Sequence, residues 1–171
     1  MKRKKSVARF GLLLAALITG VSLSLSFGMA PSSARAGGDA GLISKKSPYS
    51  VKVTLDRLEA VLKEKGFTIA LRWNHAARAK GVGMALRPTE LLLFGNPKVG
   101  THFFTSQQTA GIDLPMKALA WEDENGQVWL TYNDPAFIAR RHGITDRDPV
   151  VAKMTGALKK FTDAAVAPTA K

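Results

Sequence analysis

The most constraining feature of this 171-residue chain is a short, uninterrupted apolar run that ends in breaker residues. The run Leu91 to Phe94 has no alternation and is too short for a helix, so it predicts a strand buried on both faces. Gly95-Asn96-Pro97 ends the strand, and Thr101 is expected to cap a helix that begins near His102. We therefore expect Gly95–Thr101 to be a loop whose backbone amides converge on an anion.

The first 36 residues have the pattern of a targeting segment. Basic residues precede an apolar stretch from Phe10 to Ala30, and Ala34-Arg35-Ala36 is an A-x-A cleavage site. We predict a signal peptide over residues 1–36 and a periplasmic or secreted protein, in contact with the membrane only through the leader before cleavage. The alternative is an uncleaved anchor, since about 20 apolar residues can span a bilayer.

Charge and cysteine content exclude several function classes. The chain has 25 Lys and Arg and 13 Asp and Glu; six of the basic residues lie in the leader, which leaves 19 and a net charge of +6 for the rest. No dense basic stripe is interleaved with aromatic residues, so we expect no nucleic-acid partner. The chain has no cysteine, which excludes disulfides, thiolate metal sites, covalent haem attachment and a cysteine nucleophile.

The segments that flank the domain are predicted from their composition. Residues 37–47 are rich in glycine and predict a flexible linker, the domain is expected over 48–166, and residues 167–171 are expected to be a disordered tail. Tyr49–Val53 alternates like a first strand, and Thr54 is expected to cap the helix that follows it. Phe67–Trp73 is apolar at odd positions, which predicts a second strand with one covered face. Asn74 is expected to cap a short alanine-rich helix, His75–Lys80.

The C-terminal half predicts a hairpin followed by helices. Asp134-Pro135 is expected to start a helix that runs through Arg141, and the last helix is expected to carry one apolar stripe, Val151, Met154, Leu158 and Phe161. Asn125-Gly126 is a hairpin signal, and a two-residue turn there would pair Trp121 with Leu130 and place Trp129 on the opposite face. The order β-α-β-α-β-α-β-β-α-α predicts an α+β fold: a two-layer α/β sandwich with a mixed sheet of about five strands and helices mainly on one face. Because one sheet face would stay uncovered, we expect a homodimer that uses the face bearing Trp129.

Several motifs along the chain resemble those of one microbial family. They are His75-Ala76-Ala77, Leu86-Arg87-Pro88-Thr89, Phe94-Gly95-Asn96-Pro97, Gly100-Thr101, Ile112-Asp113-Leu114-Pro115 and Tyr132-x-Asp134-Pro135. In this order, from about Pro48 to Ile144, the chain resembles the family known as domain of unknown function 302. The resemblance implies a compact α/β domain, often dimeric, with no established activity. The family usually has Asp before the motif histidine, where this chain has Asn74.

Seven residues are candidates for a ligand site: His75, Arg87, Asn96, Lys98, Gly100, Thr101 and Asp113. A neutral His75 at a helix start suits anion binding or general-base catalysis, although capping or packing is the plainer role. Gly95 to Thr101 mimics a P-loop frame but lacks the lysine that precedes the threonine in a P-loop, since Gly100 stands there, so the motif argues against nucleoside triphosphate hydrolysis. The weaker hypothesis is that the loop amides and Lys98 hold a small anion or carboxylate, and the alternative is an ordinary tight loop.

Catalytic and metal chemistry have weaker support in the sequence. Asp113 could pair with Arg87 or His75 as an acid–base pair, or it could be an ordinary Asx-turn residue. His75 and Asp113 are therefore the catalytic candidates. The three histidines lack metal-ligand spacing, so we expect no metal and no cofactor.

Three function classes stay open after the sequence is considered. The first is an exported small-ligand-binding or accessory domain for a small anionic or amphipathic molecule. The second is an enzyme that uses His75 and Asp113 for proton transfer. The third is a purely structural dimeric domain. The lack of a nucleophile or metal set favours the first.

Overall fold

The computed structural model describes residues 40–169, and the predicted signal peptide lies outside this range. A short 3-10 helix, Gln108–Ile112, precedes the fourth strand. The order of strands and helices and the α+β class are confirmed. The elements are β1 (Leu42–Ser47), α1 (Val51–Glu64), β2 (Thr68–Asn74), α2 (His75–Gly81), β3 (Thr89–Gly95), α3 (Pro97–Ser106), β4 (Met116–Glu122), β5 (Val128–Asn133), α4 (Pro135–Arg141) and α5 (Asp148–Val166).

The strands of this region form one sheet in the order β1-β5-β4-β3-β2. Every pairing in it is antiparallel, so the predicted mixed sheet is wrong. The connection between β4 and β5 accounts for one of these pairings, because a hairpin reverses the chain and a parallel neighbour needs a crossover of a dozen or more residues. Neighbours β2 and β3 are joined through the short helix α2 and are also antiparallel.

The first strand lies earlier in the chain than predicted. Leu42–Ser47 pairs with β5 along its whole length, so this part of the predicted linker is a strand. Helix α1 then begins at Val51, inside the predicted strand, and Ser50 rather than Thr54 caps it by accepting a hydrogen bond from the Val53 amide at 3.3 Å. The sequence does not indicate β1 because this edge strand is rich in lysine. Lysines on an exposed edge prevent pairing with a further strand.

Helices cover one face of the sheet. Leu55, Leu58 and Leu62 of α1 are fully buried there, and Met154 and Leu158 of α5 pack against the same core. On the sheet, Leu92, Phe94 and Leu130 are fully buried.

The predicted burial of both faces of β3 is wrong. Leu92 and Phe94 are buried under the helices, while Leu91 and Leu93 point to the other face and are only half-buried. This uncovered face also carries Trp129, so the expected homodimer through it stays a prediction.

The hairpin register differs by one residue from the prediction. Glu122 pairs with Val128 and the Asp123 amide donates to the Gln127 carbonyl, so the loop has three residues and ends at Gly126 with a φ of +75°. A glycine at this left-handed position is typical of three-residue hairpin loops. The one-residue shift places Trp121 opposite Trp129, and the two indoles stack with ring centroids 6.4 Å apart.

A β-bulge in β2 changes which side chains face the helices. Ile69 pairs with Phe94, but the next pair is Leu71 with Leu93, so Ala70 is the extra residue. After the bulge the odd-numbered apolar residues turn to the uncovered face, where Leu71 is 41% exposed, and Arg72 turns toward α1. The predicted alternation is thus correct only up to Ile69.

The C-terminal tail is partly ordered. The Tyr49 hydroxyl donates to the Ala167 carbonyl at 2.8 Å and accepts from the Thr169 amide at 2.9 Å, so the predicted disorder is wrong for residues 167–169. Within residues 40–169, none of the helices has the length and hydrophobicity needed to cross a membrane.

Candidate ligand-binding cavity

The segment predicted to be an anion-binding loop is the first turn of α3. Asn96 caps this helix by accepting from the Lys98 amide at 2.9 Å, and the Val99 and Gly100 amides both donate to the Asn96 carbonyl at 2.9 Å. Gly100 and Thr101 lie inside the helix. The predicted nest of free amides is wrong, because these amides already have partners. The signal for the true start was present, since Asn-Pro is a typical N-cap and first helical position.

The same segment lines part of a large cavity between α3 and α5. The cavity has a volume of about 730 Å³, which is within the usual range for small-molecule sites. Its floor comes from β2 and from the ends of β3 and β4, and its walls come from the two helices. The apolar side chains that line it are Phe67, Val99, Phe104, Leu114, Met116, Met154, Leu158 and Phe161.

The charges around the cavity all have one sign. Its lining includes Lys65, Lys98 and Lys153 and no acidic residue. Lys65 forms an ion pair with Glu64 at 2.7 Å. Neither Lys98 nor Lys153 has a carboxylate partner within residues 40–169, so two ammonium groups remain available at the edge of an apolar concavity.

Aromatic contacts hold the wall of the cavity in place. Phe67 packs edge-to-face on Phe161 with ring centroids 5.5 Å apart and on buried Phe94 at 6.2 Å. The Asn96 side chain adds a polar tie, because its amide donates to the Gly66 carbonyl at 3.3 Å and so links the start of α3 to the end of α1. These contacts hold Phe67, Phe161 and Asn96 in defined positions at the cavity wall.

The structure separates the predicted site residues into three places. Asn96, Lys98, Gly100 and Thr101 line the cavity. His75 is the first residue of α2, capped by Asn74 as predicted. The other two predicted residues lie elsewhere: the Arg87 Nε donates to the Glu122 carbonyl at 3.1 Å, and Asp113 contacts α4.

The predicted pairing of Asp113 with Arg87 or His75 is wrong. The Asp113 carboxylate lies 2.7 Å from His142 Nε2 and 3.3 Å from Arg141 Nη1. His142 Nδ1 lies 3.0 Å from the Thr109 hydroxyl, and the imidazole is 8% exposed. These contacts fasten the segment before β4 to the C-terminal end of α4. Within the described residues, no three His, Asp or Glu side chains gather closely enough to hold a metal ion.

Sequence reasoning missed the wall supplied by α5. Lys153, Met154 and Ala157 line the cavity, yet they lie far from the motif segment in the chain. The apolar stripe of α5 predicts a helix packed on the core, but it does not reveal which part of the stripe borders an open space.

A second charged feature lies beyond the bulge of β2. Arg72 donates from Nε to Glu90 Oε1 at 2.9 Å and from Nη2 to Glu90 Oε2 at 3.1 Å. Its Nη1 contacts Asp56 at 2.6 Å and Glu59 at 3.5 Å. Three carboxylates therefore surround the arginine, and the two oxygens of Glu90 accept paired hydrogen bonds from its guanidinium. We call this set of four residues the arginine cluster.

The cluster shifts the titration of its members. Burial lowers the pKa of Arg72, but its hydrogen bonds to Glu90 and Asp56 raise it by more, so the net shift is upward. Hydrogen bonds from Lys52 and Arg72 hold the pKa of Asp56 below its usual 3.8. The hydrogen bond from Lys63, opposed by burial and helped by the charges of Lys63 and Arg72, holds the pKa of Glu59 below its usual 4.5.

The fold and the cavity define a class: a small α+β domain with an apolar, lysine-rimmed concavity between its helices. The chain belongs to the family described as Domain of unknown function DUF302, whose model matches residues 43–161. The crystal structure of uncharacterized conserved protein DUF302 from Bacillus stearothermophilus has the same fold, with a TM-score of 0.60 and 19% identity over 74% of this chain and 95% of that one.

Two curated relatives carry a functional name. The chain is 46% identical over 120 residues to fluoride-specific ion channel FluC 1 of Brucella suis biovar 1 (strain 1330), which covers 69% of this chain and 47% of that protein. The same identity and length relate it to fluoride-specific ion channel FluC 2 of Brucella melitensis biotype 1, where the match covers 44% of the protein. The match thus spans less than half of each of these relatives.

Proposed function

We propose that this chain is an accessory domain that binds an amphipathic anion in the cavity between α3 and α5. The observation that carries the proposal is the combination of an apolar concavity with three lysines and no acidic residue in its lining. An apolar chain would be buried against Phe67, Leu158 and Phe161, at about 0.8 kcal/mol for each buried methylene. The head group would lie at the rim, where Lys98 and Lys153 supply positive charge.

The lysines are expected to select the ligand rather than to supply most of the affinity. Exposed ammonium groups interact with an anion across water, so their contribution is modest and falls with salt. Binding energy comes mainly from the apolar wall. An uncharged molecule of the same length should therefore bind, but more weakly than the anion.

Calorimetric titration with dodecanoate, and with dodecanol as its uncharged counterpart, tests the proposal. The anion is expected to bind several-fold more tightly at low salt, with the difference shrinking as salt is added. Ala157→Phe places a ring in the cavity and should weaken dodecanoate binding more than tenfold. The matched control is Ala152→Phe, on an exposed position of the same helix outside the lining.

Two results would contradict the proposal. One is a dodecanoate affinity that Ala157→Phe leaves unchanged while the protein stays folded. The other is equal affinity for dodecanoate and dodecanol at low salt, which would leave the lysine rim without a role.

The names of the curated relatives support the accessory part of the proposal. An ion channel has to cross a membrane, and the helices within residues 40–169 do not. We therefore assign channel formation in those relatives to the part outside the match, and the binding task to the part that this chain shares with them. In this assignment the domain senses or holds a ligand beside a transport protein and does not itself conduct ions.

We also propose that the domain works outside the cytoplasm after cleavage behind Ala36, on the basis of the basic start, the apolar stretch and the A-x-A site. Intact-mass measurement of the exported protein tests this. A chain that keeps residues 1–36 in the membrane fraction would contradict it.

A further inference from the structure

Residues 81–88, which run from the last residue of α2 to the start of β3, are all exposed and strongly apolar. Val82 is 73% exposed, Met84 is 66% exposed and Leu86 is 49% exposed. Single apolar residues on a surface are ordinary, but three large ones within five positions make a patch that marks an interaction site. We name residues 81–88 the apolar arm.

The arm is held in shape by backbone bonds. The Val82 and Met84 amides both donate to the Ala79 carbonyl, at 3.1 and 2.9 Å, and Gly83 has a φ of +76°, a left-handed conformation that suits glycine. At the other end, the Arg87 side chain is tied to the Glu122 carbonyl at 3.1 Å. The apolar side chains are therefore presented on a defined backbone rather than on a loose loop.

The segment that carries the arm is basic. From His75 to Thr89 the chain has Arg78, Lys80 and Arg87 and no acidic residue, although Arg87 lies near enough to Asp123 for its charge to lower the pKa of that carboxyl. Arg78 lies over the Trp73 ring, with its guanidinium carbon 3.3 Å from the ring centroid. Lys80 borders an open depression together with Ala77, Met84 and Leu86. Cationic and apolar groups thus share one surface.

We propose that the apolar arm docks on an anionic lipid surface. Apolar side chains that enter the interface, flanked by lysine and arginine that attract anionic head groups, are the combination by which peripheral proteins bind membranes. A second copy of the chain fits less well, because in a two-fold contact the same patch meets itself and the basic residues of both copies would be brought together. This contact is separate from the cavity and does not depend on its ligand.

Because the chain has no cysteine, a single introduced one reports on a single position. Full-length Met84→Cys carries an environment-sensitive fluorophore at the arm, and Ala60→Cys carries it at an exposed position of α1 as the matched control. Vesicles of phosphatidylcholine and phosphatidylglycerol in equal parts are compared with vesicles of phosphatidylcholine alone. We expect a blue shift and a rise in emission at position 84 with the anionic vesicles only, and no change at position 60.

Charge variants sharpen the test. Lys80→Glu in the Met84→Cys background should weaken the vesicle response about fivefold or more, while Lys160→Glu on exposed α5 should leave it unchanged. An equal response at positions 84 and 60, or an equal response to both kinds of vesicle, would overturn the proposal. A blue shift that grows with protein concentration in the absence of vesicles would overturn it in favour of a second copy.

Discussion

The cations near the two halves of β2 differ in whether they have carboxylate partners. Before the bulge, Thr68 borders a cavity whose lining contains lysines and no carboxylate. After the bulge, Arg72 is surrounded by Asp56, Glu59 and Glu90. Arg72 is thus paired within the domain, whereas Lys98 and Lys153 at the cavity have no carboxylate partner among the described residues.

This difference separates structural charge from functional charge. A half-buried guanidinium with carboxylates on several sides is satisfied, so its role is to join α1, β2 and β3. Ammonium groups at the rim of an apolar concavity are solvated by water, so they add little to the free energy of unfolding. We therefore expect variants of the arginine cluster to change stability and variants of the cavity rim to change binding.

The largest expected effect tests the paired half. Arg72→Ala leaves three carboxylates close together without their common cation, and it should lower the free energy of unfolding by about 3 kcal/mol. Urea denaturation followed by circular dichroism measures it. Lys153→Ala is the control from the cavity rim and should stay within about 0.5 kcal/mol of the wild type. Equal losses in the two variants would erase the distinction between the halves.

The pair formed by His142 and Asp113 extends the comparison to another paired group. His142→Ala removes the 2.7 Å bond to Asp113 and the contact with Thr109, and it should cost about 1–2 kcal/mol of unfolding free energy. Dodecanoate affinity should not change, because neither His142 nor Asp113 lines the cavity. The matched control is His75→Ala, for which a loss below about 0.5 kcal/mol is expected. A drop in dodecanoate affinity for His142→Ala would argue for a functional histidine instead.

Acid should weaken the arginine cluster as its carboxylates become protonated. The pKa values of Asp56 and Glu59 are lowered in the folded protein from 3.8 and 4.5, so their contribution is complete above these values and is lost as pH falls through the folded values. Unfolding free energy should therefore fall with decreasing pH in this window, and Arg72→Ala should show a shallower fall. Parallel pH profiles for wild type and variant would show that the cluster does not set the acid response.

The smallest expected effect lies at the exposed edge of the cluster. Lys52 pairs with Asp56 at 2.8 Å one helical turn away, but the lysine side chain is 77% exposed. Lys52→Ala should therefore cost only about 0.3–0.5 kcal/mol, and that loss should vanish at high salt. A loss of unfolding free energy as large as that of Arg72→Ala would mean that the strength of these ion pairs does not depend on their exposure.

Local signals predicted much of the fold because they act over a few residues. The apolar stripe of α5, the Asn74 cap of α2 and the Asp134-Pro135 start of α4 each depend on neighbouring residues, and all are present in the structure. The edge strand β1 was not predicted because pairing with β5 stabilises it, while its own sequence alternates only weakly. The hairpin register was wrong by one residue because Asn-Gly fits more than one loop length.

The candidate site was only half predictable for the same reason. Asn96, Lys98 and Thr101 were identified from one segment of the chain, whereas Lys153 and Ala157 reach the cavity through the packing of α5. Asp113 was a candidate either for pairing with Arg87 or His75 or for an Asx turn, and its actual partner His142 comes from another element that no spacing in the sequence connects to it. Long-range neighbours follow from tertiary packing, which local periodicity does not contain.

The extra residue at Ala70 has a consequence for how relatives of this chain can diverge. Because Thr68 borders the cavity and Arg72 reaches α1, substitutions on the two sides of the bulge are expected to act independently. Relatives are therefore expected to be able to change the lining of the cavity, where we propose that a ligand binds, while they keep the guanidinium and its carboxylates. One inserted amino acid in this way separates the part of the strand that borders the proposed site from the part that holds the scaffold together.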